Sequence, residues 1–316
     1  MRRGSFLMRV ARAVWTSPTG LPAVVALLIL VLLAVVGPVL WSSAAVRIDL
    51  TISGQPPSGA HPLGTDRLGR DILARTLTAT RLSLELALIA AGLAAAIGFA
   101  FGALLAIAPA QLRTLGLRVI EVLLAFPAIL LAIFVTAIVG RGAHGAVTAI
   151  AIAFAPSLAR VASNLAASVA GEEYVLAARV IGVGGRRLFL RYILPNISET
   201  LIVTLSFVVS SSLLAISALG FLGLGVQAPD FDWGRMLTEG VAALYVQPSA
   251  ALAPAVAIAA TGLTMGLIGE SLARAMNPRI WTAARGRRRP IPRSSPPGMV
   301  LTPALVVSAD EEEERS

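Results

Sequence analysis

The chain of 316 residues contains no cysteine, no lysine and only two histidines. The lack of cysteine excludes disulfides, thiolate catalysis and cysteine-bound metals. The lack of lysine excludes a P-loop, whose Gly-Lys-Ser/Thr sequence holds nucleotide phosphates. We therefore predict that the chain has no catalytic site, no metal site and no cofactor of its own. If ATP drives its activity, another chain binds the ATP.

Charged residues are also scarce, at 14%, whereas 56% of the residues are hydrophobic and the mean hydropathy is +0.81. This composition predicts an integral membrane protein rather than a soluble domain. The net charge is +9, and all 26 basic residues are arginine. These arginines lie beside apolar runs and do not alternate with aromatic residues, so the charge does not indicate nucleic-acid binding.

Six apolar runs are each long enough to cross a hydrocarbon core of about 30 Å, which needs roughly twenty residues. The predicted spans lie near Leu21–Trp41, Leu82–Ile107, Leu117–Val139, Ala143–Ala162, Thr200–Val226 and Pro248–Ala273. The first run exceeds the 7–15 residues typical of a signal-peptide core. We predict an all-α membrane protein, a bundle of six transmembrane helices.

The distribution of arginine orients this bundle, because positively charged loops stay in the cytoplasm. Most of the 26 arginines fall on one side if both termini are cytoplasmic. The predicted organisation follows the chain in five parts: 1–20, a cytoplasmic segment; 21–43, the first transmembrane helix; 44–80, an extracytoplasmic loop; 81–275, a five-helix core; and 276–316, a cytoplasmic tail. The tail has blocks of alternating charge and little apolar surface from about residue 282, which predicts disorder.

One charged segment, residues 172–196, interrupts the apolar runs of the core. Its first half predicts a short amphipathic helix with one apolar stripe, composed of Tyr174, Ala177, Ala178 and Ile181. Gly182 would end that helix, because glycine readily adopts the left-handed conformation. A second short helix is predicted to carry Arg186, Arg187 and Arg191, and Pro195 to lie at the start of the next span.

This segment resembles the cytoplasmic coupling loop, or EAA loop, of ABC importer permeases. The loop has the pattern Glu-Ala-Ala, three residues, Gly, and nine residues later Ile-x-Leu-Pro. The matching residues are Ala177, Ala178, Gly182, Leu194 and Pro195. Leu176 stands where the pattern has Glu, and Tyr192 where it has Ile, while the longer form EYVxAAR…ILPN of the peptide-importer branch is matched well.

Two further strings resemble the dipeptide/oligopeptide/nickel branch of these permeases. HPLGTDRLGRDILAR is similar to its HPLGTDxxGRD signature, through His61, Pro62, Gly64, Asp66, Gly69, Arg70 and Asp71. GFLGLGVQAPDFDWGRML, residues 220–237, is similar to a second signature, and we interpret it as an outer loop with Trp233 as an interfacial aromatic. Without the resemblance, the first string is a solvated loop and the second reflects helix packing followed by a turn. His61 lacks a second metal ligand at helical or hairpin spacing.

The resemblance implies the fold of a type I ABC importer permease with a cytoplasmic coupling helix. It implies a bacterial inner-membrane complex with a second homologous permease, two ATPase subunits or one fused ATPase that bind ATP and Mg, and an extracytoplasmic solute-binding protein. Peptides are the implied cargo. The residues implied to contact the ATPase are Glu172, Glu173, Tyr174, Ala177, Ala178, Arg179, Gly182, Leu194 and Pro195.

Two other functions remain open from the residues alone. A stand-alone secondary transporter or channel would show internal repeats, broken helices or several charges in mid-membrane. A membrane-embedded enzyme would need a catalytic set, and none is evident. Four ionisable residues lie within or beside the predicted spans, and we interpret them as interfacial anchors: Glu85, Glu121, Arg160 and Glu270.

Overall fold

A computed structural model describes residues 20–276, and its side chains through Arg274. Within that range the secondary structure is helical, apart from an isolated antiparallel bridge between Thr65 and Asp71. The predicted cytoplasmic N-terminal segment, up to residue 19, and the predicted disordered tail from residue 277 lie outside the described residues. The all-α prediction is confirmed.

The described part of the chain forms ten α-helices. They are α1 (Gly20–Val46), α2 (Ile72–Ile107), α3 (Ala110–Ala125), α4 (Ala128–Val139), α5 (Ala143–Ala170), α6 (Glu173–Val180), α7 (Gly185–Leu188), α8 (Leu194–Phe221), α9 (Trp233–Val241) and α10 (Ser249–Met276). A short 3₁₀ turn, Leu50–Ile52, follows α1, and a π-helical turn, Phe189–Ile193, joins α7 to α8.

Five helices or helix combinations are long and apolar enough to cross a membrane: α1, α2, α5, α7 with α8, and α10. A sixth crossing results if α3 and α4 together make one span. The predicted membrane bundle of six spans therefore agrees with the structure on this count.

The third predicted span is not one straight helix. α3 and α4 are bent by 94° relative to each other, and Phe126 and Pro127 lie at the break. Proline lacks the N–H that continues a helix and disfavours helical geometry in the residue before it. Phe126 accordingly has the extended angles φ −86° and ψ 134°. Leu117–Val139 was predicted as a single span without weighing this proline.

The second span begins at Ile72, well before the predicted start at Leu82. The carboxylate of Asp71 caps the helix by accepting a hydrogen bond from the backbone N–H of Ala74 at 2.8 Å. The extension carries the polar residues Arg75 and Thr76, which made it resemble a loop, but both are buried in the protein. Residues 72–80, predicted as part of the extracytoplasmic loop, are thus helical.

The centre of the bundle is the contact between α2 and α5, the most extensive of all helix pairs. Small residues allow this close approach, as the alanine-rich and glycine-rich second span predicts. At Gly98 an added Cβ would lie 2.6 Å from the carbonyl oxygen of Ala155, and at Gly102 it would lie 2.7 Å from the Cβ of Ala162. The helices therefore approach more closely than side chains of ordinary size permit.

Connections group at two ends of the bundle. At one end, which we call the signature end, the loop before α2 meets the segment before α10, where the Gln247 amide donates to the carbonyl of Gln55 at 3.1 Å. The Gly142 N–H also donates to the Leu224 carbonyl there. At the other end, the coupling end, the α2–α3 connection lies beside residues 171–193 around a shared cavity.

Candidate functional site

The segment predicted to couple to an ATPase is a short helix followed by a tight turn. α6 follows the exposed Glu172 and ends before Gly182, whose φ of +84° lies in the left-handed region, as predicted. The N–H of Val183 donates back to the carbonyl of Ala178 at 3.1 Å and closes the turn. Any residue with a Cβ would be strained at Gly182.

The buried face of α6 differs from the predicted apolar stripe. Val175 and Ala178, three residues apart, are buried against Leu188. Of the predicted stripe only Ala178 is buried, whereas Tyr174 and Ile181 are 46% and 79% exposed. Ala178 therefore holds the segment together and is not free to contact a partner.

The side of α6 that is exposed among the described residues carries large apolar residues. Leu176, Val180 and Ile181 are 45%, 86% and 79% exposed, and Ala177 is exposed between them. We call these four residues the outer face of α6. Exposed apolar groups clustered on a protruding element mark an interaction surface.

The second predicted short helix is not separate. α7 continues through the π-helical turn into α8, so Arg186, Arg187 and Arg191 belong to an extension of the fifth span. Leu194 and Pro195 form the first turn of α8, where a proline is tolerated.

One side-chain contact ties α6 to α8. The Asn196 amide donates to the Tyr174 hydroxyl at 2.8 Å and to the Tyr192 carbonyl at 2.7 Å. Tyr174 is therefore a positioning residue for α6, and it remains partly exposed.

Charged residues of α6 follow the helix dipole. Glu173 lies in the first turn and Arg179 in the last, the favourable arrangement for a helix. Arg179 also lines a cavity of about 790 Å³ at the coupling end, together with Arg113. The position of Arg179 therefore allows contacts at this cavity in addition to the predicted contact with the ATPase.

At the signature end, the predicted loop residues form an ion-pair network with α9. The Asp66 carboxylate accepts from Arg70 Nε at 2.7 Å and from Arg75 Nη1 at 2.6 Å. The Glu239 carboxylate accepts from Arg70 Nη2 at 3.1 Å and from Arg75 Nη1 at 2.9 Å. Arg235 Nε donates to the other oxygen of Glu239 at 3.0 Å.

The remaining signature residues shape the loop around this network. His61 Nδ1 lies 2.8 Å from Asp71 Oδ2, and Asp71 caps α2. Gly69 has φ +74°, and a Cβ there would overlap the backbone of Asp49. Gly64 is buried and Pro62 exposed. The contact with Asp71 gives His61 a defined partner for its predicted structural role. No group of three potential metal ligands occurs in residues 20–274.

Helix α9 and its contacts were missed in the sequence. Trp233, interpreted as an interfacial aromatic, is only 1% exposed, and its Nε1–H donates to the Thr76 carbonyl at 2.9 Å. Its backbone N–H donates to Ser83 Oγ at 3.0 Å. Asp232 accepts from the N–H of Arg235 at 2.9 Å as a helix N-cap. Two sequence signals for α9 were available. Asp232 precedes a polar-apolar pattern as a helix N-cap, and Arg235 and Glu239 are four residues apart.

The surroundings at the signature end lower the pKa of two carboxyl groups, Asp66 and Glu239, and raise the pKa of a third, Asp232. Burial by itself would raise the pKa of Asp66, but backbone hydrogen bonds and the Arg70 charge outweigh it and lower the pKa. The pKa of Glu239 is likewise lowered despite burial, through the charges and hydrogen bonds of Arg75 and Arg235. Burial dominates at Asp232 and raises its pKa.

Two of the four ionisable residues interpreted as interfacial anchors each form an ion pair within their own helix. Glu85 pairs with Arg81 and Glu270 with Arg274, each four residues apart. Glu121 on α3 instead pairs with Arg160 on α5 at 2.9 Å. Arg160 lies about 15 Å from the nearer end of α5, at 1.5 Å per residue, and its interpretation as an interfacial anchor stays a prediction.

These features together define a membrane-spanning helical bundle with a protruding helix–turn segment at one end and a clamped loop at the other. Residues 98–282, more than half of the chain, match the family described as binding-protein-dependent transport system inner membrane component. The chain belongs to this family of membrane permeases.

Similar proteins of defined name include the glutathione transport system permease protein GsiD of Escherichia coli O1:K1, 37% identical over 166 residues. That alignment covers 52% of this chain and 55% of the relative. GsiD of Shigella flexneri serotype 5b is 37% identical over 164 residues, covering 52% of this chain and 54% of the relative. The matched region is thus about half the length of these relatives. Membership of this family confirms the resemblance to ABC importer permeases and the prediction of a membrane subunit rather than an enzyme.

Proposed function

We propose that the chain is one of two permease subunits of an ATP-driven importer that moves di- or oligopeptides across the bacterial cytoplasmic membrane. Its family, defined by dependence on a binding protein, supports partners of two kinds: a solute-binding protein outside and ATPase subunits inside. The ATPase subunits bind ATP and Mg, since this chain has no P-loop lysine.

The observation that carries the proposal is the outer face of α6. Val180 and Ile181 are among the most exposed large apolar residues of the described chain. They are the last residue of α6 and the residue after it, and Val175 and Ala178 fix the helix from behind. A rigid, exposed apolar surface is what a docking partner requires. Movement of that partner on ATP binding would move α6 and, through the Tyr174–Asn196 contact, α8.

The orientation follows from the arginines. Arg113, Arg118, Arg179, Arg186, Arg187 and Arg191 all lie on or near the α2–α3 connection and residues 171–193. The signature side carries seven arginines, so the difference between the two sides comes from the arginines of the two termini. With both termini placed on the coupling side, nineteen of the 26 arginines fall there, and by the positive-inside rule we infer that the coupling end faces the cytoplasm, where the ATPase subunits are, and the signature end faces outward.

Short peptides are the proposed cargo. The signature strings around Asp66 and Trp233 are those of the peptide-importer branch, and the curated relatives are named for transport of glutathione, itself a small peptide. The binding protein contributes most of the substrate selectivity, and the permease provides the route across the membrane.

An affinity purification of the tagged chain from mildly solubilised membranes tests the assembly. We expect a second permease and a P-loop ATPase in the eluate, and ATP hydrolysis that rises with binding protein and peptide. A chain that purifies without any ATPase at every detergent strength would overturn the proposal. A stand-alone transporter or channel would then be the better hypothesis.

A charge on the outer face of α6 tests the docking surface itself. Val180→Asp should abolish ATPase co-purification, because it places an unpaired carboxylate in an apolar contact. Tyr245→Asp is the matched control, since Tyr245 is 100% exposed and lies at the signature end. Equal ATPase recovery with both variants would contradict docking through α6.

A further inference from the structure

A polar stripe runs along the second half of α5. Ser157, Arg160, Asn164 and Ser168 recur at intervals of three or four residues and share roughly 80° of the helix circumference, at 100° per residue. All four are at least partly exposed, and Asn164 and Ser168 are more exposed than the other two. The opposite face of this half of the helix, which carries Leu158, Ala159 and Ala162, is buried.

The stripe lies within a membrane-spanning helix. α5 qualifies as a span over its length, and Arg160 lies about 25 Å from its first residue and about 15 Å from its last. A hydrocarbon core of about 30 Å centred on this helix includes Arg160 and Asn164. Polar side chains at that depth face water or other polar groups, because lipid cannot satisfy them.

A second charge meets the stripe from the neighbouring helix. Nη1 of Arg160 donates to Oε1 of Glu121 on α3 at 2.9 Å. Because these two groups are in contact, the Glu121 carboxylate lies at the same depth as the Arg160 guanidinium. Their side chains are 37% and 57% exposed, so each retains a free side toward the space outside the chain.

A purely structural role does not account for this pair. Half-exposed ion pairs contribute little to stability, whereas a charge in mid-membrane is costly. Within residues 20–274 the side chain of Asn164 makes no hydrogen bond either. Three polar side chains thus present unused hydrogen-bonding capacity on one surface.

We propose that Glu121 and Arg160 form a binding site for a zwitterionic ligand on the route through the membrane. The ammonium of the ligand would pair with Glu121 and its carboxylate with Arg160, while Asn164 donates or accepts a hydrogen bond beside them. The two opposite charges in contact match the charged termini of a short peptide. The peptide either folds so that both termini reach the site together, or its termini pass the site one after the other. This inference deepens the proposed function and rests on it.

The absence of cysteine in the chain makes the test direct. Asn164→Cys is assembled with its partner subunits, and its reaction rate with a positively charged methanethiosulfonate reagent is read from the mass of this chain alone. Ile152→Cys is the matched control: Ile152 is exposed on the same helix, but its neighbours are apolar. Dialanine, N-acetyl-dialanine and dialanine amide serve as probes.

We expect Asn164→Cys to react at least tenfold faster than Ile152→Cys, and dialanine to slow it several-fold. N-acetyl-dialanine and the amide should protect less, and Glu121→Gln should abolish the difference between dialanine and its N-acetyl form. A rate equal to that of the control, or reaction that no probe slows, overturns the site while leaving the importer intact. Failure to recover the ATPase complex at all is the separate result that overturns the proposed function and this site with it.

Discussion

The guanidinium of Arg75 donates through Nη1 to the carboxylate of Glu239 at 2.9 Å, across 164 positions of the chain. It thereby joins the first turn of α2 to the short helix α9. The same atom donates to Asp66 in the signature loop, and the guanidinium stacks 4.8 Å from the ring centre of Phe231. Arg75 therefore connects three segments of the signature end through one buried side chain.

Replacing this arginine should destabilise the protein. Arg75 is 3% exposed, and Arg75→Met would leave Asp66 and Glu239 with one fewer partner each in a partly buried site. Breaking a buried ion pair costs about 3–5 kcal/mol in free energy of unfolding. We expect a loss of about 3 kcal/mol, measured by thermal unfolding of the purified protein in detergent.

The neighbouring Arg81 provides the control for that measurement. It pairs with Glu85 at 2.7 Å, but the two side chains are 60% and 49% exposed. Such a pair contributes at most about 1 kcal/mol. If Arg81→Met and Arg75→Met lowered stability equally, burial of the network would not be the source of the effect.

Acid should weaken the signature end through Asp66 and Glu239. Both carboxyl groups have a pKa lowered below their ordinary values of 3.8 and 4.5, so their contribution to stability is complete above those values. It is lost as the pH falls through the still lower pKa values of the folded state. We expect the melting temperature to decline below about pH 4 in a series of buffered thermal scans.

Asp232 changes the pH dependence of stability in the opposite direction, and its contribution must be distinguished from that of Asp66 and Glu239. Burial raises its pKa, so its ionisation opposes folding as the pH rises above 3.8, the ordinary value. Asp66→Asn removes the contribution of Asp66, leaves those of Glu239 and Asp232, and should make the decline of the melting temperature in acid shallower. An unchanged acid decline in Asp66→Asn would show that other groups cause it.

Much of the fold was predictable because membrane insertion leaves strong local signals. Runs of about twenty apolar residues locate the spans, and Gly182 locates the turn after α6. The break at Pro127 was predictable from the missing N–H of proline, although the run was taken as one span. These features depend on residues close together in sequence.

The remainder depends on contacts between distant segments. Asp71 is a local cap signal for the start of α2 at Ile72, but Arg75 and Thr76 are as polar as loop residues, and their burial against α9 depends on distant segments. The buried face of α6 is likewise chosen by Leu188, which lies beyond the turn, and not by the periodicity of α6 itself. No local pattern contains that information.

Trp233 offers a test of the contact between α9 and α2. Trp233→Phe keeps most of the buried volume but removes the hydrogen bond from Nε1 to the Thr76 carbonyl. Loss of a buried hydrogen bond with a small cavity should lower stability by about 2 kcal/mol. Thermal unfolding measures this, and Tyr245→Phe, at a fully exposed aromatic, should change stability by less than about 0.5 kcal/mol. Equal effects of the two changes would argue against the interior position of Trp233.

Two glycines of α2 should respond to alanine in opposite directions. A Cβ at Gly98 would lie 2.6 Å from the Ala155 carbonyl oxygen and 2.7 Å from the Cβ of Leu158, so Gly98→Ala must push α2 away from α5. Overpacking of this kind costs about 1–3 kcal/mol. Gly92 has no atom within 4 Å of the corresponding position, so Gly92→Ala should stabilise the helix by up to about 1 kcal/mol. Melting temperatures of the two variants beside the unsubstituted protein decide the matter, because equal shifts would mean that α2 and α5 do not approach each other at Gly98.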